Sequence, residues 1–273
     1  MVIGTGDGKI AFNLSPSSLN VYYQSPLLFY LTYIAKVPDD TKVPVCYGLS
    51  GNVVHTCLEK YARKEVDADG AYRLFAELWE QRNLHVHTDL KGEPLRPTDY
   101  LMAVVKGIQI IDKHEEHVCE ETIAFPLKEN EVMRIGVKGI IDLQALDKGV
   151  GERVVIDYKT SNSVQQGKQF ERQALFYNFL LHAQKQQIPH KTQFHYLKLG
   201  VAKEYRFTEG DIQAFHEELQ AIADELLSCG MSIDNYPIGD INDLFNSKKK
   251  ACLREVARRN MLASSDYLID AQL

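Results

Sequence analysis

The segment VVIDYKTS, residues 154–161, decides how the rest of the sequence is interpreted. Three strand-forming apolar residues lead into Asp157, Tyr158 and Lys159. Alternate residues of a β-strand share a face, so Asp157 and Lys159 are predicted to point the same way. Because burying a charge is costly unless it is paired or binds a metal, the two side chains either form an ion pair or share a function. Taken alone, the segment favours a strand-end ion pair.

Two other strand-like segments precede this one. They are CEETIAFPL (119–127) and VMRIGVKGIIDLQAL (132–146), and short polar turns separate the three segments from one another. This spacing predicts an antiparallel meander. A long helical pattern follows, then the short strands QFHYLKLG and KEYRFT, and then a strongly amphipathic helix.

The chain is predicted to have three portions. Residues 1–117 are mainly helical, residues 118–230 form an αβ core, and residues 231–273 form a loop and a basic helical tail. Ser15 and Ser25 each stand before a proline, which is typical of a helix start. The order of elements predicts a single α/β domain over residues 1–273, with a mixed central sheet flanked by helices.

Composition limits the class of protein. The chain has 273 residues, of which 45% are hydrophobic and 25% charged, as is usual for a globular protein. No apolar run approaches the roughly 20 residues that cross a bilayer, and the N-terminal segment lacks the features of a signal peptide. We therefore expect a soluble, cytoplasmic protein with no membrane partner. A net charge of −6 argues against coating nucleic acid by bulk charge, but allows an enzyme with an acidic metal site and a local basic path.

The cysteines indicate free thiols. No CxxC pair occurs, so neither a zinc ribbon nor a cysteine-ligated cluster is expected. An odd number in a reducing compartment also argues against a disulfide framework. The five are Cys46, Cys57, Cys119, Cys229 and Cys252.

His55, Asp142 and Asp157 form a candidate metal site. His55 lies in a predicted helix, and Asp142 lies on the strand before that of Asp157. If these strands are neighbours, the two carboxylates converge. Such a set suits a hard divalent cation such as Mg²⁺, and the imidazole shifts the preference toward Mn²⁺. Separately, Asp142 could cap a turn and His55 could be a hydrogen-bonded core histidine.

Four further residues could assist this site. Lys159 could orient a water molecule or stabilise charge that develops on phosphorus. Gln173 and Tyr177 are four apart, on one face of the helix that follows, and could reach Lys159 or a phosphate. Tyr177 could equally stack on a base or pack in the core. Glu59, one turn beyond His55, can share the face of that histidine.

A basic segment, KKKACLREVARR (248–259), could contact phosphates, or could be a solvated helix face. The sequence does not decide between these alternatives. Its candidate DNA-binding residues are Lys248, Lys249, Lys250, Arg254 and Arg258.

The order of five segments resembles the PD-(D/E)XK nuclease superfamily, in its RecB-like branch. That branch includes the nuclease domains of RecB and AddAB helicase-nucleases and the CRISPR adaptation exonuclease. The segments that carry the resemblance are LSPSSLNVYYQSPLLFYL, GLSGNVVHTCLE, VKGIIDLQ, VVIDYKTS and QALFYNFLL. The resemblance implies a restriction-endonuclease-like core and a nuclease that depends on Mg²⁺ or Mn²⁺.

The resemblance also implies roles for individual residues. The metal ligands would be His55, Asp142, Asp157 and the backbone carbonyl of Tyr158. Lys159 would be the catalytic lysine, and Gln173 and Tyr177 an accessory pair. A lesser role is implied for Glu121, on the first strand of the meander.

One departure from the branch concerns an iron–sulfur cluster. Many members carry four cysteines, one of them before the N-terminal proline and three near the C-terminus. Here Ser25 precedes Pro26, and the C-terminal region keeps only Cys252. No cluster is therefore expected, and other packing must connect the C-terminal segment to the N-terminal helices.

These observations predict a metal-dependent DNA nuclease, with exonuclease activity favoured by the branch. One alternative is a non-catalytic DNA-binding or partner-docking module. Another is a nuclease subunit that works only beside a helicase, which must be a separate chain because the sequence has no GxxxxGK[ST] motif. A homo-oligomer is compatible with the resemblance.

Overall fold

The computed structural model describes residues 9–41, 46–89, 91–164, 167–242 and 246–270. The strands are β1 (Ile10–Leu14), β2 (His114–Glu129), β3 (Met133–Asp147), β4 (Arg153–Lys159), β5 (Lys191–Tyr196) and β6 (Val201–Tyr205). The α-helices are α1 (Pro16–Gln24), α2 (Pro26–Phe29), α3 (Cys46–Ala62), α4 (Ala68–Gln81), α5 (Pro97–Ile111), α6 (Lys168–Lys185), α7 (Glu209–Cys229) and α8 (Lys249–Asp270). Short π and 3₁₀ turns lie at Tyr30–Ile34, Leu84–Val86 and Ile233–Asn235.

The strands form a mixed sheet, and the predicted α/β architecture is confirmed. β4 pairs with β5 in parallel, whereas β3 with β4 and β5 with β6 are antiparallel pairs. β2 also pairs with β3, so β2, β3 and β4 are neighbours in chain order, as the meander predicts. The antiparallel pairing of β3 with β4 brings together the two strands that carry Asp142 and Asp157.

Two parts of the secondary structure differ from the prediction. The strand β1 is not predicted, because its five residues carry too short a pattern, and its parallel partner in β3 lies far along the chain. The helical pattern is also extended too far, since α5 ends at Ile111 and β2 begins at His114. The polar residues after Ile111 lack an apolar helical period, and pairing with β3 then favours a strand.

The chain divides into two compact units, whose boundaries do not follow the three predicted portions. The first unit comprises Met1–Val43, Phe125–Val137 and Gln220–Leu273. The second comprises Pro44–Ala124 and Lys138–Leu219. Within the described residues, no helix has both the length and the apolar character that a membrane span requires.

In the first unit, hydrogen bonds connect the C-terminal segment to the N-terminal helices. The Ser25 hydroxyl caps α2 and also donates to the carbonyl of Ile238. The backbone N–H of Asp240 donates to the carbonyl of Gln24 at 2.8 Å. These contacts supply packing between the two segments, which the sequence leads us to expect.

In the second unit, α3, α4 and α5 enclose an apolar core with one face of β3 and β4. Leu58 of α3 and Trp79 of α4 are almost fully buried in it, as are Val104 of α5 and Ile156 of β4. Burial of such side chains contributes about 1.5–3 kcal/mol each relative to exposure. This packing fixes α3 against the end of β4, and so fixes the position of the polar residues on α3.

We expect a glycine on α5 to be essential to this packing. A β-carbon added at Gly107 would lie 2.5 Å from both terminal carbons of Leu58, whereas one added at Gly48 on α3 would meet nothing within 4 Å. Alanine in place of a helical glycine gains up to about 1 kcal/mol in either case, and overpacking costs about 1–3 kcal/mol. Gly107→Ala should therefore be less stable than Gly48→Ala by about 1–3 kcal/mol in urea unfolding. Equal free energies of unfolding for the two variants would contradict this account.

Candidate metal centre

His55 bridges two groups that the sequence assigns to the metal shell. Its Nδ1 atom lies 3.3 Å from Oδ2 of Asp142, and its Nε2 atom lies 2.9 Å from the carbonyl oxygen of Tyr158. The helix α3 comes this close to the end of β4 because Gly51 has no side chain. A β-carbon at Gly51 would lie 3.0 Å from Oγ1 of Thr160, which is tighter than an ordinary contact.

Asp142 connects β3 to β4 one residue beyond their last backbone pair, Leu143 with Ile156. Its Oδ2 atom accepts a hydrogen bond from the N–H of Tyr158 at 2.8 Å. The ring of Tyr158 is buried in the core of the second unit, so this residue reaches the site through its backbone. The same carboxylate thus contacts both His55 and the strand that carries Asp157.

Glu120 joins this group, and sequence reasoning missed it. Ligand atoms of His55, Glu120 and Asp142 lie within 4.8 Å of one another. Glu120 has a left-handed backbone conformation (φ 50°) within β2, which interrupts the alternation of faces along that strand. For this reason the strand pattern could not show which residue of the Glu120–Glu121 pair faces the site. A doublet of glutamates at the predicted position was the only available signal.

Two residues with predicted accessory roles, Glu59 and Glu121, form ion pairs outside this group. Glu121 forms an ion pair with Lys185 at 2.5 Å. Glu59 forms an ion pair with Arg63 at 2.8 Å. The structure therefore does not place either carboxylate in the group formed by His55, Glu120 and Asp142.

Asp157 lies at the centre of a hydrogen-bond network with Lys159 and the accessory pair. Its Oδ1 atom is 2.7 Å from Nζ of Lys159. Its Oδ2 atom accepts hydrogen bonds from Nε2 of Gln173 and from the hydroxyl of Tyr177, both at 3.0 Å. Gln173 also accepts a hydrogen bond from Lys159 at 3.1 Å. The structure thus brings Gln173 and Tyr177 into contact with the ion pair of Asp157 and Lys159.

Aromatic rings complete the surroundings of Lys159. Its Nζ atom lies 4.9 Å from the centroid of Phe194 and 5.8 Å from that of Phe170. Cations over ring faces are stabilised by the ring quadrupole. The lysine is therefore held by a carboxylate, an amide and two rings in a largely buried position, with its side chain 19% exposed.

The site concentrates negative charge. Burial, and then the charge of Asp142, raise the pKa of Glu120 to about 7. Burial also raises the pKa of Asp157, although Lys159 opposes the shift. For His55, burial disfavours the cation, but the carboxylates of Asp142, Asp157 and Glu120 outweigh it and raise the pKa to about 9. Buried carboxylates that raise one another's pKa values are stabilised by a cation among them.

The donor set fits a hard divalent cation. It combines carboxylate oxygens of Glu120 and Asp142 with an imidazole nitrogen of His55, and the carbonyl oxygen of Tyr158 lies in contact with that imidazole. Oxygen donors with one imidazole suit Mg²⁺ or Mn²⁺ better than they suit softer metals. Asp157, the remaining predicted ligand, is instead engaged with Lys159, Gln173 and Tyr177.

The predicted basic segment lies in the first unit, and four of its cations form ion pairs, namely Lys248, Arg254, Arg258 and Arg259. Lys248 forms an ion pair with Asp39, and Arg258 contacts Glu255 at 2.6 Å. Arg254 lies 3.7 Å from Asp40, and its side chain is 74% exposed. A role of the five predicted residues of this segment in DNA contact stays a prediction.

We expect adjacent glutamates to differ in cation binding. Glu120→Gln removes a charged donor from the His55–Asp142 group and should weaken Mn²⁺ binding by about 10-fold or more in a calorimetric titration. Glu121→Gln makes the same chemical change one residue away, outside the group, and should leave binding within about two-fold of wild type. Equal effects of the two substitutions would contradict the assignment of Glu120.

Comparisons with known proteins found one matching family model and several similar solved structures. A family model, described as the PD-(D/E)XK nuclease superfamily, matches residues 13–242. One similar solved structure is a candidate exonuclease from Eubacterium rectale, with 10% identity, a TM-score of 0.46, and coverage of 83% of this chain and 84% of that chain. Another is SSO0001, with 14% identity, a TM-score of 0.31, and coverage of 72% of this chain and 82% of that chain. No curated protein sequence matches. Because the family model spans well over half of the sequence, the chain belongs to the PD-(D/E)XK nuclease superfamily.

Proposed function

We propose that this protein is a metal-dependent DNA nuclease that hydrolyses phosphodiester bonds, and that it acts as an exonuclease in DNA repair, recombination or processing. The observation that carries the proposal is the proximity of two groups in one unit. The first is the His55–Glu120–Asp142 donor set, and the second is the Asp157–Lys159 pair. Asp142 connects them through the backbone of Tyr158.

His55, Glu120 and Asp142 would hold a Mg²⁺ or Mn²⁺ ion, since their donor atoms converge. Such an ion, when bound, polarises a phosphate oxygen and lowers the pKa of a water molecule. The buried carboxylates would keep the ion in place, because they lose their mutual repulsion when a cation lies between them. Asp157 would contribute through its charge and, as the resemblance implies, as a further ligand.

Lys159 would stabilise the negative charge that develops on the phosphate. A cation held in a fixed position does this without reorganisation at the moment of reaction. The side chain is fixed by Asp157 at 2.7 Å, by Gln173 at 3.1 Å and by the ring of Phe194. The position of the Lys159 charge is therefore set by the protein rather than by solvent.

Gln173 and Tyr177 would act as positioning residues. Gln173 donates to Asp157 and accepts from Lys159, so that one amide orients both partners of the ion pair. Tyr177 donates to the same carboxylate from the next turn of α6. Loss of either residue would keep the ion pair of Asp157 and Lys159 but would no longer fix its geometry.

Exonuclease activity is supported by the RecB-like resemblance and not by an individual residue. Linear and covalently closed circular DNA of the same sequence distinguish exonuclease from endonuclease cleavage, because an exonuclease needs a DNA end. RNA of matching sequence tests the preference for DNA. Binding of DNA without cleavage of any substrate would favour a non-catalytic module, and cleavage only after addition of a helicase would favour the subunit hypothesis.

We expect Lys159→Ala to lower the rate of metal-dependent cleavage of end-labelled DNA by about 10²–10³, the usual effect of removing one charge-stabilising donor. Asp157→Ala should have an effect at least as large, because it removes both a charge and the partner of Lys159. A matched control is Lys185→Ala, which breaks another lysine–carboxylate ion pair of this unit, that with Glu121, outside the site. Cleavage that needs no metal, or that survives both site substitutions, would contradict the mechanism.

A further inference from the structure

A cavity of about 540 Å³ lies in the same unit as the candidate metal centre. Its lining includes Tyr47 of α3, Arg96 and Tyr100 at the start of α5, Asn162 after β4, and Lys198 after β5. This volume lies within the usual range for sites that bind small ligands or single units of a polymer, about 300–1,000 Å³. None of these residues belongs to the donor set or to the Lys159 network.

The cavity lies at the catalytic end of the parallel pair β4–β5. Lys159 is paired with Tyr196 in this ladder, and the N–H of Leu197 donates to the carbonyl of Lys159 at 2.9 Å. Asn162 follows Lys159 by three residues, and Lys198 follows Tyr196 by two. An extended chain advances about 3.3–3.6 Å per residue, so Asn162 lies within about 10 Å of Lys159.

Lys198 is held by neutral groups. Its Nζ atom lies 3.5 Å from the centroid of the Tyr100 ring and donates to Oδ1 of Asn162 at 3.1 Å. Within the described residues it has no ion pair with a carboxylate. Burial of this cation lowers the pKa of Lys198 to about 8, in spite of the charge of Asp99. A half-buried ammonium group with neutral partners gains from an anionic ligand, because the ligand replaces lost hydration.

Three acidic residues line the cavity, Asp89, Glu93 and Asp99, and two of them are engaged with other groups. The Asp89 carboxylate accepts hydrogen bonds from the N–H groups of Lys91 and Glu93 at 2.8 and 3.0 Å. Asp99 forms an ion pair with Arg96 at 3.0 Å. These contacts reduce the repulsion that the two carboxylates would exert on an anion near Lys198.

From this geometry we propose that Lys198, held in place by Asn162 and by the buried ring of Tyr100, binds a backbone phosphate of single-stranded DNA near the phosphate that is cleaved. Single-strand sites combine cations that follow the backbone with aromatic side chains, and the partly exposed Tyr47 lines the same cavity. The inference rests on the proposed nuclease function for its substrate. It adds a binding residue that lies outside the catalytic network.

The test measures DNA binding with no divalent cation present, so that its readout is independent of cleavage. Fluorescence anisotropy with a labelled single-stranded oligonucleotide in EDTA gives the affinity and its salt dependence. We expect Lys198→Gln to bind about 10-fold more weakly and to reduce the slope of log K against log [salt] by about 0.7, the value for one phosphate contact on a single strand. Lys198→Arg should retain both the affinity and the slope. In the cleavage assay, Lys198→Gln should raise KM and leave kcat within about two-fold, as loss of uniform binding does.

The matched control is Lys203→Gln on β6, because Lys203 also lies over a tyrosine ring, 5.1 Å from the centroid of Tyr205. It should bind like wild type. An unchanged affinity and slope for Lys198→Gln would overturn the inference, as would a wild-type protein that does not bind the oligonucleotide. If wild type binds but does not cleave, and Lys198→Gln weakens binding, the proposed nuclease function fails while the DNA-contact role of Lys198 stands. If wild type cleaves but Lys198→Gln leaves binding unchanged, only the present inference fails.

Discussion

The arrangement of the site depends on the carboxylate of Asp142. Its Oδ2 atom accepts the N–H of Tyr158 at 2.8 Å and lies 3.3 Å from Nδ1 of His55. One oxygen atom therefore joins a strand, its neighbour in the sheet and a helix from the preceding part of the chain. The contact occurs where backbone pairing between β3 and β4 stops, at Leu143 and Ile156. Beyond this pair the side chain of Asp142, rather than backbone hydrogen bonds, connects the two strands. Charged groups therefore meet at this end of the sheet.

The carboxylates around this contact are buried at an electrostatic cost. Glu120 and Asp157 both have raised pKa values, whose main cause is burial and to which the charge of Asp142 adds. His55 and Lys159 offset part of that charge, each at one side of the cluster. Perturbed carboxylates that lie together in a buried site are a recognised sign of a functional site. PD-(D/E)XK nucleases use divalent metals, and this cluster is the candidate site for one in this chain.

Much of the site can be predicted from the sequence, because several of its residues are only two to four positions apart in the chain. The two-residue separation of Asp157 and Lys159, and the four-residue separation of Gln173 and Tyr177, place each pair on one face of a regular element. Glu120 could not be predicted in this way, since its left-handed backbone interrupts the alternation of faces along β2. As a result Glu120 faces the site, where the sequence led us to expect Glu121. The strand β1 could not be predicted either, since its formation depends on a partner far along the chain. The ion pairs of Lys248 and Arg258 likewise depend on Asp39 and Asp234, which only the fold brings near.

We expect one divalent cation to bind among His55, Glu120 and Asp142. The most direct measurement is a crystal structure grown with saturating Mn²⁺, with diffraction data collected near the manganese absorption edge. An anomalous difference peak is expected within bonding distance of the donor atoms of these three residues, whose ligand atoms already lie within 4.8 Å of one another. Manganese bound elsewhere in the unit, or no anomalous peak at this cluster under saturation, would contradict this expectation.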